Sequence, residues 1–146
     1  MTKPVLVLNG PNLNMLGVRE PDKYGSASLQ DVEAMCRSVA AAHGLAADCR
    51  QSNDEGALIS WLQAARTSHA AIIINAGGYS HTSVALLDAL TLSALPVVEV
   101  HITNIHAREE FRHQSLLSRA ARAVICGCGV DGYSYAMQTV AKLLAS

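Results

Sequence analysis

Ala71-Ile72-Ile73-Ile74-Asn75-Ala76-Gly77-Gly78 is the stretch on which the fold turns. Three consecutive isoleucines closed by a glycine pair read as a strand buried on both faces. Leu58, Leu62 and Ala65 before it, and Val84, Leu87 and Leu90 to Leu92 after it, mark helices. An apolar strand between two helices is the unit of a parallel sheet. The same alternation continues outward. Val5 to Leu8, Ala46 to Gln51, Val97 to Ile102 and Ala123 to Cys126 read as strands. Leu29, Val32, Cys36, Val39 and His43 recur at helical spacing. Ser28 with Asp31 supplies a capping box for that helix, and Gly44 ends it. Tyr133, Met137, Val140 and Leu144 trace the last helix, and a short helix is expected over Ala107 to Arg112. The expected class is α/β, a three-layer sandwich around a parallel sheet. Right-handed crossovers leave few strand orders. The order 2-1-3-4-5 puts Asp48, Arg50 and Gln51 on an edge strand and the most apolar strands in the centre. One domain over residues 1–146 is expected.

Composition narrows the function. Half the residues are hydrophobic, and 11 basic residues face 12 acidic ones. That balance leaves no basic footprint for nucleic acid or an anionic membrane. The first apolar run is too short for a secretion signal or a membrane span, so a soluble cytoplasmic protein is expected. Cys36, Cys49, Cys126 and Cys128 are then expected as reduced thiols.

In an open parallel sheet, ligands bind beyond the carboxyl ends of the strands. Those ends carry Asn9, Asn75 and His101, three polar side chains on the central strands. Each Asn alone reads as a turn residue; their convergence reads as a site. The loop from Gly10 to Gly25 is long enough to be a lid or a binding loop. Glu99 interrupts an apolar run and shares a strand face with His101, so the carboxylate can orient the imidazole. Arg108 and Arg112 follow directly and suit an anionic ligand. Arg119 and Arg122 read as a solvated helix face. His43 and His69 read as surface or helix-end residues, and His106 and His113 as structural.

Three segments resemble the motifs of the type II 3-dehydroquinate dehydratases. They are Asn9-Gly-Pro-Asn-Leu-Asn-Met-Leu-Gly17 with Arg19-Glu-Pro21 and Tyr24-Gly25, Asn75-Ala-Gly-Gly-Tyr-Ser-His81-Thr-Ser83, and Glu99-Val-His101 through Arg108 to Arg112. The resemblance covers essentially the whole chain. It implies a flavodoxin-like fold, a homododecamer built as a tetramer of trimers, and a cofactor-free, metal-free lyase converting 3-dehydroquinate to 3-dehydroshikimate. By matching positions it implies Tyr24 as base, Arg19 as its activator and His101 as general acid. Asn12 would stabilise an enolate through a bound water. Asn75, His81 and Arg112 would contact substrate hydroxyls. Ile102 and Thr103 would meet the carboxylate through their backbone, and Asp88 would come from a neighbouring subunit. Thr103 stands where the family usually has Ser, Leu87 where Arg is common, and Asp54 where His is common.

The implied chemistry is feasible. Tyrosine, with an ordinary pKa of about 10, is mostly protonated at neutral pH, and stabilising its phenolate enough takes roughly 4 kcal/mol. One arginine about 4 Å away can supply that near a protein surface. An imine route needs a lysine at a strand's carboxyl end. Lys3, Lys23 and Lys142 are the only lysines, and none is so placed. Two rivals fare worse. Gly127-Cys-Gly-Val-Asp-Gly132 has the G-x-G-x-x-G spacing of a nucleotide loop, but the expected second strand with its acidic residue is not found after it, so tight packing is the expectation. The histidines show no metal-ligand spacing.

Overall fold

The computed structural model describes residues 3–18, 22 and 25–146. Arg19, Glu20, Pro21, Lys23 and Tyr24 lie outside the described residues. The five strands are β1 (Val5–Asn9), β2 (Ala47–Gln51), β3 (Ala71–Asn75), β4 (Val97–His101) and β5 (Ala123–Cys126). All pair in parallel, in the order β2-β1-β3-β4-β5. Strands β1, β3 and β4 are buried along their whole length, while β2 and β5 are partly exposed. This is the expected division between centre and edge.

Alternation along the strands builds two cores. Val5, Val7, Ile73, Val98 and Val100 face α1 (Leu29–Ala42) and α4 (Asp131–Ala145). Leu6, Leu8, Ile72, Ile74 and Val97 face α2 (Glu55–Ser68) and α3 (Val84–Ser93). The expected capping box is formed: Asp31 N donates to Ser28 Oγ at 3.1 Å, and Ser28 N donates to Asp31 Oδ2 at 3.0 Å. Asp54 caps α2, accepting from Ala57 N at 3.0 Å, which satisfies an otherwise orphaned amide. Gly132 opens α4 where a Cβ would lie 3.4 Å from Val100 and 3.5 Å from Ile125. Those are ordinary contact distances; what the run requires of glycine is positive φ, at Gly127 (89°) and Gly129 (62°). No helix among the described residues is long and apolar enough to cross a membrane.

Two local expectations are corrected, and a third gains a detail. The segment after β4 is not a helix over Ala107 to Arg112 but two 3-10 turns, Ile105–Ala107 and Glu110–Arg112. Asn104 Oδ1 caps the first turn through His106 N, and Arg108 is extended at φ −105°, ψ −163°, which breaks any continuous helix. Arg119 is exposed, but it sits on a 3-10 turn, Leu116–Ala120, rather than on a helix face. His69 ends α2 as expected yet is buried, because its Nε2 reaches Asp48 Oδ2 on β2 at 2.8 Å. That bond carries the imidazole under the edge strand.

The turn after β1 lies hard against the turn after β3. Gly10 N donates to Asn75 O at 2.8 Å, and a Cβ on Gly10 would sit 2.5 Å from Ala76 O. Gly10→Ala should therefore cost about 1–3 kcal/mol in urea unfolding. Gly78→Ala, where a Cβ meets nothing within 4 Å, should stay within about 0.5 kcal/mol of the parent. Equal stabilities for the two variants would contradict this contact.

Candidate active site

The carboxyl ends of β1, β3 and β4 open onto one cleft of about 130 Å³. Of the residues singled out from the sequence, Asn12, Asn75, His81, His101, Ile102, Thr103, Arg108 and Arg112 line it. Glu99 stands directly behind His101. Asp88 does not line it: this residue is exposed on α3, one turn from the exposed Val84 and Leu92. Arg19 and Tyr24 lie outside the described residues.

His101 is held by a buried carboxylate. Its Nε2 bonds Glu99 Oε2, and Glu99 is 1% exposed. An ionised carboxylate only accepts, so Nε2 carries the proton of this bond and Nδ1 remains for other chemistry. Glu99 also accepts from Ser115 Oγ at 2.5 Å and from Ser118 Oγ at 2.6 Å. Burial alone would raise the Glu99 carboxyl. The bonds from His101, Ser115 and Ser118, with the imidazole charge, outweigh burial and hold it below the ordinary carboxylate range.

His81 faces His101 in a stacked arrangement, with ring centroids 6.3 Å apart. Its Nδ1 lies 2.9 Å from the Gln114 carbonyl, an acceptor, so Nδ1 is protonated and Nε2 is the nitrogen left to accept. Asn12 is in the left-handed region at φ 72°, uncommon for a residue with a side chain. Its N–H donates to Asn53 Oδ1 at 3.0 Å. Gln51 Nε2 ties the same segment down by donating to Asn53 Oδ1 and to Gly10 O, both at 3.1 Å. Leu13 and Leu16 are buried beneath it, so the first half of the loop after β1 is anchored.

The cationic wall is shared with one acid. Arg112 Nε donates to Glu109 Oε2 at 2.5 Å, and Arg108 lies 3.9 Å from the other Glu109 oxygen. Arg112 first, and then Arg108, hold the Glu109 carboxyl below its usual range. Arg108 also donates to Thr103 Oγ1 at 3.4 Å. His113 Nε2 bonds Arg108 O at 2.7 Å and stitches the two 3-10 turns together, a structural task. Among the described residues, no group of three or more His, Cys, Asp or Glu side chains is arranged to hold a metal ion. All four cysteines are free.

Sequence reasoning missed Ser115, Ser118 and Tyr133. The serines sit 16 and 19 residues beyond Glu99. Nothing in Gln114-Ser-Leu-Leu-Ser118 distinguishes them from ordinary turn serines. Tyr133 reads as one more apolar residue on a helix face. A buried carboxylate's need for donors was the available signal.

A parallel α/β sheet whose carboxyl edge gathers an oriented histidine, amides and arginines around one cleft is the frame of an enzyme. The chain belongs to the class II dehydroquinase family, whose model matches residues 3–141. It is 62% identical to 3-dehydroquinate dehydratase 1 of Bradyrhizobium diazoefficiens over 98% of this chain and 93% of that one. It is 60% identical to the 3-dehydroquinate dehydratase of Streptomyces avermitilis over 96% and 89%. The crystal structure of the type II dehydroquinase from Propionibacterium acnes superposes with a TM-score of 0.93 at 40% identity, covering 97% of this chain and 98% of that one.

A carboxyl whose proton is held less tightly in the folded chain stabilises the fold above the ordinary carboxylate range. That contribution is lost as pH falls through its lowered folded value. Ser115→Ala removes one donor from Glu99 and should move the acid-unfolding midpoint, followed by circular dichroism, to higher pH. An unchanged midpoint would show that Ser115 does not hold the ionised carboxylate.

Proposed function

We propose that this chain dehydrates 3-dehydroquinate to 3-dehydroshikimate by anti elimination through an enolate, without a Schiff base. The observation that carries this reading is the cleft itself, where His101 with Glu99 stands beside Asn12, Asn75, His81 and Arg112. The substrate is a β-hydroxy ketone bearing a carboxylate. Tyr24, made acidic by Arg19, takes the proton next to the ketone, and the electron pair moves into an enolate. Asn12 stabilises the enolate oxygen through a water. The enolate then expels the hydroxyl, His101 supplies its proton, and water leaves. Each step answers one difficulty: a weakly acidic C–H, a developing oxyanion and a poor leaving group.

Glu99 keeps His101 oriented through its bond to Nε2. Asn75, His81 and Arg112 contact the substrate hydroxyls. The backbones of Ile102 and Thr103 meet the carboxylate, and Arg108 supplies positive charge beside it. Asp88 acts across a subunit boundary, a reading supported by its exposure between the exposed apolar side chains Val84 and Leu92. We take residues 1–146 as one catalytic domain of a cytoplasmic homododecamer. It would serve aromatic amino acid biosynthesis through the shikimate pathway or the breakdown of quinate.

Spectrophotometric dehydration of 3-dehydroquinate by exhaustively chelated protein is the direct test, and full activity is expected. Tyr24→Phe should lower turnover by more than about a hundredfold while leaving substrate binding measurable, since general-base catalysis contributes about 10²–10⁴-fold. Turnover near that of the parent would remove Tyr24 as the base. His101→Ala should lose both turnover and affinity. Borohydride added with substrate should leave the mass of the protein unchanged; a covalent adduct would restore the imine route.

A further inference from the structure

Behind the Asn75 amide lies a polar relay whose other members, Tyr133 and Asn9, the proposed chemistry does not use. Tyr133, on the first turn of α4, is fully buried. Its hydroxyl donates to Asn9 Oδ1 at 2.6 Å and accepts from Asn75 Nδ2 at 2.9 Å. The other Asn75 amide atom, Oδ1, accepts from Gly77 N at 3.2 Å. One phenol from the last helix thus joins the polar ends of two central strands.

The hydrogen-bond polarity of this relay is forced. A backbone N–H can only donate, so the Asn75 atom facing Gly77 must be the oxygen. Asn75 must then turn its NH₂ group to Tyr133. A phenol has a single proton, and with Asn75 donating to its oxygen that proton goes to Asn9 Oδ1. The NH₂ group of Asn75 has two hydrogens and gives one to Tyr133, so the second remains for whatever occupies the cleft that Asn75 lines. Burial pushes the Tyr133 hydroxyl well above the usual tyrosine range. It therefore keeps its proton, and the relay its direction, throughout the working pH range. Without that hydroxyl, of these two bonds the Asn75 amide would keep only the 3.2 Å bond from Gly77 N.

We propose that Tyr133 is a positioning residue for substrate binding, holding the Asn75 amide so that it presents an N–H to a substrate hydroxyl. The inference rests on the reading of Asn75 as a substrate contact. The experiment is steady-state dehydration of 3-dehydroquinate by the full-length chain carrying Tyr133→Phe, Asn75→Ala or both, with the thermal midpoint of each. Tyr133→Phe should raise KM about tenfold, the equivalent of about 1.4 kcal/mol, with kcat within about threefold of the parent. In the Asn75→Ala background it should change KM no further, because interacting residues are not additive. A merely structural tyrosine would lower the thermal midpoint and leave KM of the folded protein alone. Parental KM in folded Tyr133→Phe, or an additive double variant, overturns the inference and leaves the reading of Asn75 intact. Parental KM in Asn75→Ala overturns that reading and the inference with it. Should Tyr133→Phe fail to fold, Asn9→Ala carries the test: removing the acceptor of the phenolic proton should raise KM only where Asn75 is present, and an unchanged KM overturns the proposal.

Discussion

A carboxylate taken out of water costs several kcal/mol unless donors replace its hydration. Glu99, at 1% exposure, is the point where this chain meets that cost. Donors come from three side chains on two parts of the fold: His101 on its own strand, and Ser115 and Ser118 from the crossover that leads to β5. The arrangement ties the end of β4 to that crossover. It also commits Nε2 of His101 to the protein, so Nδ1 is the ring nitrogen left over. Packing and chemistry are therefore one requirement here. Loosening the serines would weaken the fold and the aim of the histidine together.

The rest of the cleft follows the same logic of polar groups fixed from behind. Asn12 keeps a left-handed backbone because Asn53, itself held by Gln51, accepts its N–H. Asn75 is gripped by Gly77 on one side and Tyr133 on the other. Arg112 is steadied by Glu109. Groups whose rotamers are set before a ligand arrives lose less entropy when it binds. Glu109 has an opposing effect, since it partly neutralises the wall that would attract an anion.

Family membership and fold agree closely with the strand and helix pattern, but the agreement is uneven in kind. Val5 to Leu8, Ile72 to Ile74 and Val97 to Val100 were legible because burial on both faces leaves an apolar run that no turn or surface helix shows. The edge position of β2 was legible from Asp48, Arg50 and Gln51. The turns after β4 were not, because Ala107 to Arg112 has helical composition and the break at Arg108 comes from contacts made by Asn104 and His113. The place of His69 at a helix end was legible, but its burial was not, because its partner Asp48 lies 21 residues away on another element.

By itself the sequence determined the class of fold, the strand order and the edge of the sheet where a site can form. Those depend on hydrophobic periodicity and the handedness of crossovers, both written locally along the chain. It also placed Glu99 beside His101, since the two are one strand repeat apart. Only the tertiary structure decided which hydroxyls neutralise Glu99, and that a tyrosine 124 residues from Asn9 and 58 from Asn75 joins the two. Such bonds answer the needs of buried polar atoms. Which group answers is settled by where the folded backbone brings it, and no spacing along the chain records that.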